Sequence, residues 1–487
     1  MNEQTSQVPP KPRKPLWRRI LKWMLRVVVA LAVLAVLGWA IWNYQASREL
    51  NAEIAGIRAA GQPLTFAQLD ASWKKVEFPD DAGPFYAAAV DLLNRDDEIE
   101  QANRDGNYEI NYEFWRAMQA GDAPPSEVVA QARKGVQENQ LTLDMLDRGS
   151  AKSGCSYQLG IQYGIAAWLK PLGAARAVAK RNSVRTKLLA LDGRGGQAVD
   201  SLVAGLRMGR MFDRQPVLVG HLVRIAILSL TAQDVPLVLD RGGLAEADLE
   251  KLEKALLDAE RQVAWKRMLI GERVYAMELS RNLIAGPREL TAEDLTAPSL
   301  PERLPSGINS PVTKTMLAHL LRFYSELIAA TDNEWPQGLD AVTAVSQRRQ
   351  PSVLDSFSQV TMPSLARALV ITGRTLATLR ASRLAVMIER YRLKTGRLPE
   401  SLEELQRATA QLLPDDPFTG KAMVFKKTAE GYMVFSLGED KNAYPDKPLN
   451  QGDHCNWGIP VRVPPQPGTW PGNRRQPEAA ARAVQIG

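Results

Sequence analysis

Only three histidines, His221, His319 and His454, are available as ligands or bases in 487 residues. None falls in the HExxH pattern or in another paired spacing that would set two imidazoles on one helix face around zinc. His221 (VGHLV) and His319 (LAHLL) sit in apolar helical runs, where a histidine is expected to be packed as part of a core. No GxSxG elbow, Walker A loop or GxGxxG fingerprint occurs. The glycines of Asp192-Gly193-Arg194-Gly195-Gly196 fall between two helical segments, which predicts a turn and not a phosphate cradle. The acidic groups Asp96-Asp97-Glu98 and Glu403-Glu404 read as solvated faces. A hydrolase that works through two carboxylates needs no local motif, so that class stays open. The two cysteines, Cys155 and Cys455, could pair in an oxidising compartment if their Cα atoms came within about 7 Å; two separate free thiols are the alternative. No residue is assigned a catalytic or cofactor-binding role.

The elements that would position these groups are mostly helices. Ser47–Ala60 carries spaced Leu50, Ile54 and Ile57, and Thr65 with Gln68 three residues on forms a capping box before a short helix. Helical periodicity then marks Pro84–Leu93, Ser126–Asp147, Ile161–Leu191, Gly196–Phe212, Pro216–Leu239, a segment from Leu249 through Val263 to Leu283, Val312–Thr331 and Ser364–Lys394. The turn holding Leu189, Gly193 and Ala198 resembles a tetratricopeptide hairpin, but no 34-residue period runs through the chain. Successive helices with short connections predict an α-helical bundle or a solenoid-like body. From Gln411 on, short β-prone runs take over, with Met423–Phe425 and Tyr432–Phe435 separated by Lys426–Gly431 as a hairpin.

Charge and apolarity are concentrated at the start. Residues 1–26 hold seven basic side chains (Lys11, Arg13, Lys14, Arg18, Arg19, Lys22, Arg26) and one acid, Glu3, so this stretch carries +6 of the chain's net +7. The remainder is close to neutral, which argues against nucleic acid as a partner. Val27–Trp42 follows, sixteen residues without a polar side chain, about 24 Å of helix at about 1.5 Å per residue. Trp17 and Trp23 on one side and Trp39, Trp42 and Tyr44 on the other suit the two interfaces of a bilayer. A cleaved signal peptide would end at a small-x-small site, whereas this run ends in bulky residues with only Gln45-Ala46-Ser47 as a candidate. The expectation is an uncleaved inner-membrane anchor near Leu21–Trp42, N-terminus cytoplasmic and the bulk of the chain extracytoplasmic. Val217–Ala232, the other long apolar stretch, contains His221 and Arg224 and is expected to be a buried helix, since both would be costly in a bilayer.

The segment YRLKTGRLPESLEEL…LLPDDPFTGKAMVFKKTAEGYMVFSLGED resembles the soluble end of the type II secretion major pseudopilin. The matching positions are Tyr391, Thr395, Gly396, Pro399, Pro414, Asp416, Pro417, Phe418, Gly420, Ser436, Gly438 and Asp440, within about residues 365–460. The processing site that precedes a pseudopilin's membrane helix is absent, so the resemblance implies the fold of a module and not assembly into a pilus. It also implies a calcium site built from oxygens of the loop after Ser-x-Gly-x-Asp, here Asp440, Asn442, Asp446 and Asp453. Lys441 and Lys447 lie among these donors and the family's glycine after the aspartate is missing; a plain loop pinned by Trp457 on the hairpin is the alternative. More broadly the chain resembles bacterial single-pass membrane-anchored proteins, a resemblance that carries no activity.

These readings define a mainly α fold with an N-terminal transmembrane helix, an extracytoplasmic helical body and a small C-terminal α+β module. The expected order is a basic tail (1–20), the span (21–43), a helical domain (44–285), a Pro-rich linker (286–311), further helices (312–362), the pseudopilin-like module (363–463) and a disordered tail (464–487). The expected role is that of a membrane-tethered interaction or scaffold protein with a protein partner. The alternative is an extracytoplasmic hydrolase or ligand-binding protein with a pocket between helices.

Overall fold

The structure, a computed structural model, describes residues 16–73, 76–94, 110, 112–114, 116–117, 123–157, 165–214, 217–241, 243–263, 265–285, 310–332, 335–347, 356–444, 449–450 and 456–462. The expected linker, the C-terminal tail and residues 1–15 lie outside these, apart from Ser310 and Pro311. In chain order the helices are α1 (Leu16–Ala59), α2 (Phe66–Ala71), α3 (Gly83–Asn94), α4 (Ser126–Glu138), α5 (Gln140–Ser150), α6 (Ile165–Leu191), α7 (Gly195–Met208, prolonged by a 3-10 turn, Gly209–Phe212), α8 (Leu218–Ala232), α9 (Val235–Arg241), α10 (Glu246–Gln262), α11 (Trp265–Ala285), α12 (Pro311–Ala330), α13 (Gln337–Gln347), α14 (Ser356–Thr395) and α15 (Leu402–Thr409). Strands β1 (Val424–Thr428), β2 (Gly431–Ser436) and β3 (Trp457–Arg462) complete a mainly α fold with one small sheet.

The chain divides into two compact units that do not follow chain order. The first comprises residues 1–68, 273–325 and 350–359. Its α1 is one continuous helix with two characters. Apolar side chains from Trp17 to Trp42 are exposed, whereas Ala46, Leu50 and Ile57 further along are buried. The expected apolar helix and the expected helix Ser47–Ala60 are therefore one element, because no helix-breaking residue separates them. Gly61, at φ +64°, ends it: the Gly61 N–H donates to the Arg58 carbonyl and the Gln62 N–H to the Ile57 carbonyl, a left-handed closure that glycine adopts without strain. The Thr65 hydroxyl then accepts from the Gln68 N–H at 3.1 Å, and Gln68 Oε1 accepts from the Leu64 N–H at 2.8 Å. The reciprocal bond thus reaches one residue further back than the expected capping box. Arg273 of α11 is fully buried and donates to Gln62 Oε1 at 2.8 Å and to the Pro63 carbonyl at 3.3 Å.

The second unit comprises residues 69–272, 326–349 and 360–487. Helices α6 and α7 meet across the expected glycine turn, where Gly193 has φ +69° and the Arg194 N–H closes on the Leu189 carbonyl at 2.9 Å. One apolar core joins Leu202 and Leu206 of α7, Leu228 of α8, Leu252 and Leu256 of α10, Leu384 and Ile388 of α14, and Tyr432, Val434 and Ile459 of the sheet. The C-terminal strands are thus built onto the helical body rather than hung from it. The sheet is antiparallel in the order β1-β2-β3, with Val424 opposite Phe435 and Ser436 opposite Trp457. Lys426 and Lys427 on the edge strand β1 discourage further strand pairing.

Three long helices expected from periodicity are interrupted. Pro216–Leu239 breaks at Gln233-Asp234, Leu249–Leu283 breaks after Gln262, and Ser126–Asp147 breaks at Asn139. At the first break the physical cause is visible. Asp234 turns inward and pairs with Lys187 at 2.9 Å. The α8 helix is buried as expected, His221 and Arg224 included.

Candidate functional site

Phe418, Gly420 and Ser436 converge on Asp416, which is buried. Its Oδ1 accepts from the Phe418 N–H at 2.9 Å and from the Ser436 hydroxyl at 2.7 Å, and its Oδ2 accepts from the Leu437 N–H at 2.9 Å. Its own backbone closes the turn, with Gly420 N–H to Asp416 carbonyl at 2.8 Å and Asp416 N–H to Lys421 carbonyl at 2.7 Å. Gly420 and Gly438 have φ of +65° and +76°, the left-handed conformation that explains glycine at both positions. One carboxylate thereby ties the Pro414–Gly420 turn to the end of β2. Phe418 packs on α14 at Gly373, where a Cβ would lie 2.8 Å from the ring. At the far end of α14 the Tyr391 hydroxyl donates to Glu404 Oε1 at 2.7 Å, fastening α15.

The loop after β2 leads to the calcium candidates. Asp440 and Asn442 are described; Asp446 and Asp453 lie outside the described residues, as do Cys455 and His454. Asp440 accepts from the Tyr444 hydroxyl and, at 3.4 Å, from the Asn442 N–H. The Asn442 carbonyl accepts from the Asn456 amide at 2.9 Å, and Asn456 Oδ1 accepts from the Tyr444 N–H at 2.8 Å. A second amide, Asn450, exchanges bonds with Gly458 in both directions, at 2.7 and 3.0 Å. A side chain at Gly458 would strike the Val434 carbonyl at 2.1 Å, so the strand is free to lie close against β2 only with glycine there. Arg374 covers the Trp457 ring at 4.7 Å and pairs with Glu439. Asn450 and Asn456 therefore do the closing, and both carboxylate oxygens of Asp440 and the backbone carbonyl of Asn442 already accept from protein donors. Among the described residues no group of three or more metal-ligating side chains forms. The melting temperature of the intact protein in detergent is expected to stay the same in millimolar calcium and in chelator. A calcium-dependent rise of several degrees would instead assign the four oxygen donors to an ion.

Cys155 is a buried free thiol that burial pushes up to about 12, so it is protonated and unreactive at neutral pH. Beside it, Asp81 accepts from the N–H groups of Gly83 and Ser156, both at 2.8 Å.

The helical body also holds buried polar groups that periodicity does not reveal. Lys187 donates to Ser183 at 2.6 Å and pairs with Asp234. A serine, a lysine and an aspartate in this order can activate a nucleophile, but all three are buried and Ser183 presents no face to solvent. Glu272 accepts from the Leu218 N–H at the start of α8, and burial raises its carboxyl to about 7.

His221 contacts the Thr372 hydroxyl at 3.0 Å. Burial, and secondarily Arg224, lowers its imidazole to about 3, so it is neutral and structural. The unfolded chain takes up a proton near pH 6.5 that the folded chain refuses, so this contribution is intact above about 6.5 and is lost as pH falls toward 3. Relative to His221→Gln, the native protein is expected to lose about 1.4 kcal/mol of unfolding free energy per pH unit below about 6, measured by urea denaturation at pH 7, 6 and 5. A difference that does not change with pH would contradict it.

No known protein-family model, curated protein sequence or solved structure matches the chain.

Proposed function

We propose that the chain is a membrane-tethered interaction or scaffold protein, its N-terminus in the cytoplasm and its bulk on the extracytoplasmic face of the inner membrane. The observation that carries this reading is the double character of α1. Its first half exposes an unbroken apolar surface behind a strongly basic flank, as a span with positive-inside orientation requires. Its second half is a structural part of the first unit. Lys314 donates to Asn43 Oδ1 and Ser47 Oγ, both at 2.9 Å, and Arg322 reaches Glu49 at 2.6 Å and Glu53 at 2.8 Å. Cleavage near Gln45-Ala46-Ser47 would cut this helix within its own packing, which favours an anchor over a removable signal.

For the interaction role, the support comes from the surface after α15. Glu403, Gln406, Arg407, Ala410, Gln411 and Leu412 line a shallow hollow. Leu412 is 86 % exposed among these polar side chains, and this is the position proposed to meet a partner. A photoreactive residue placed at Leu412 in cells is expected to give one discrete protein adduct, absent when the same group replaces exposed Lys134. No adduct at Leu412, or the same adducts at both positions, would contradict the interaction reading.

A further inference from the structure

The first turn of α12 lies at the level where the apolar half of α1 ends. Two pairs of contacts fix this. Lys314 is bonded to Asn43 and Ser47, and Arg322, eight residues on, is bonded to Glu49 and Glu53. The partners advance along both helices in the same direction, so α12 starts beside the apolar half and runs away from it. Two residues before Lys314, at about 1.5 Å per residue, Val312 is level with Ile41–Tyr44 to within about one helical turn. Trp42 is 40 % exposed there and Val312 39 % exposed. The turn itself is tightly made: Ser310 Oγ accepts from the Thr313 N–H at 3.1 Å, and Pro311 is buried.

The headgroup layer adds about 5–8 Å on each side of the hydrocarbon core, about four or five residues of α1 beyond Trp42. That interval is Asn43–Ser47, the stretch Lys314 holds. We infer that the first turn of α12, Pro311–Thr315, is seated in the interfacial layer of the bilayer, with Val312 touching lipid at the boundary between headgroups and chains. The occupant of this surface is lipid. The exposed valine lies at the level where the apolar surface of α1 ends, and a soluble partner could not reach a site level with Trp42 without displacing headgroups. The consequence is that the first unit stands directly on the membrane with no flexible stalk between it and the span. This rests on the transmembrane reading of α1.

The test places a fluorescent amino acid at Val312, at Leu34 or at Arg58 of the full chain, reconstituted in phosphatidylcholine vesicles with brominated chains. All three positions are exposed, so the fold is not at risk. Leu34 marks the span, and Arg58 lies sixteen residues beyond Trp42 on the same helix. Quenching is expected at Leu34 and at Val312 and not at Arg58. At Val312 it should be at least twofold stronger with bromine near the carbonyl end of the chain than near its methyl end. Quenching at Leu34 with Val312 behaving as Arg58 overturns the inference and leaves the anchor standing. No quenching at Leu34 overturns both.

Discussion

Asp416→Ala is expected to destabilise the second unit by about 3–5 kcal/mol, since each buried donor left without an acceptor costs about 1–3 kcal/mol. Three donors lose their acceptor at once: the Phe418 N–H, the Ser436 hydroxyl and the Leu437 N–H. Two are backbone groups in tight turns whose glycines fix the path, so they have no easy second partner. Asp416→Asn should cost less, about 1–3 kcal/mol, because one amide oxygen still accepts while the NH2 group meets a donor. Urea denaturation of the full chain in detergent measures both. Hydrogen exchange should show the largest loss of protection in residues 416–438. An alanine variant within about 1 kcal/mol of native would show that the turn and the strand end hold together without this carboxylate.

Lys187→Met is expected to cost a similar amount, about 3–5 kcal/mol, and the double variant Lys187→Met/Asp234→Leu is expected to recover most of it. The single change leaves a carboxyl that burial already pushes above the ordinary carboxylate range without its cation. The double change leaves two apolar side chains in place of a pair that is buried in the unit whose core holds Leu202, Leu228 and Val238. A cycle of both single variants and the double variant gives the coupling energy directly. If the double variant is as unstable as the sum of the singles, the pair is not coupled and the break between α8 and α9 has another cause.

Much of this architecture is legible locally. The basic flank and the apolar run of α1, Gly193 in its turn, Gly396 beyond α14 and the hairpin all depend on residues near in sequence. Gly396 has φ +74°, and its N–H closes on the Arg392 carbonyl at 2.8 Å. What is not legible depends on distant partners. The inward turn of Asp234 needs Lys187, 47 positions earlier. Strand β3, Trp457-Gly-Ile-Pro-Val-Arg, reads poorly as a strand because glycine and proline weaken it. It forms because β2 pairs with it along its whole length and Asp240 accepts from the Arg462 N–H at 2.7 Å. The same holds for the site. Asp416, Ser436 and Gly438 are visible as a pattern, but that one carboxylate joins them is a fact of folding. The closing role of Asn450 and Asn456 had no local signal, since a lone asparagine in a loop is ordinary.

On the proposed reading, α1 is retained as an anchor and serves at once as a wall of the first unit. The intact mass of the protein extracted from the membrane fraction tests it most directly. One species is expected, its N-terminus preceding Leu16, resistant to alkaline extraction and released by detergent. A soluble species beginning near Ser47, lacking the apolar half of α1, would contradict it.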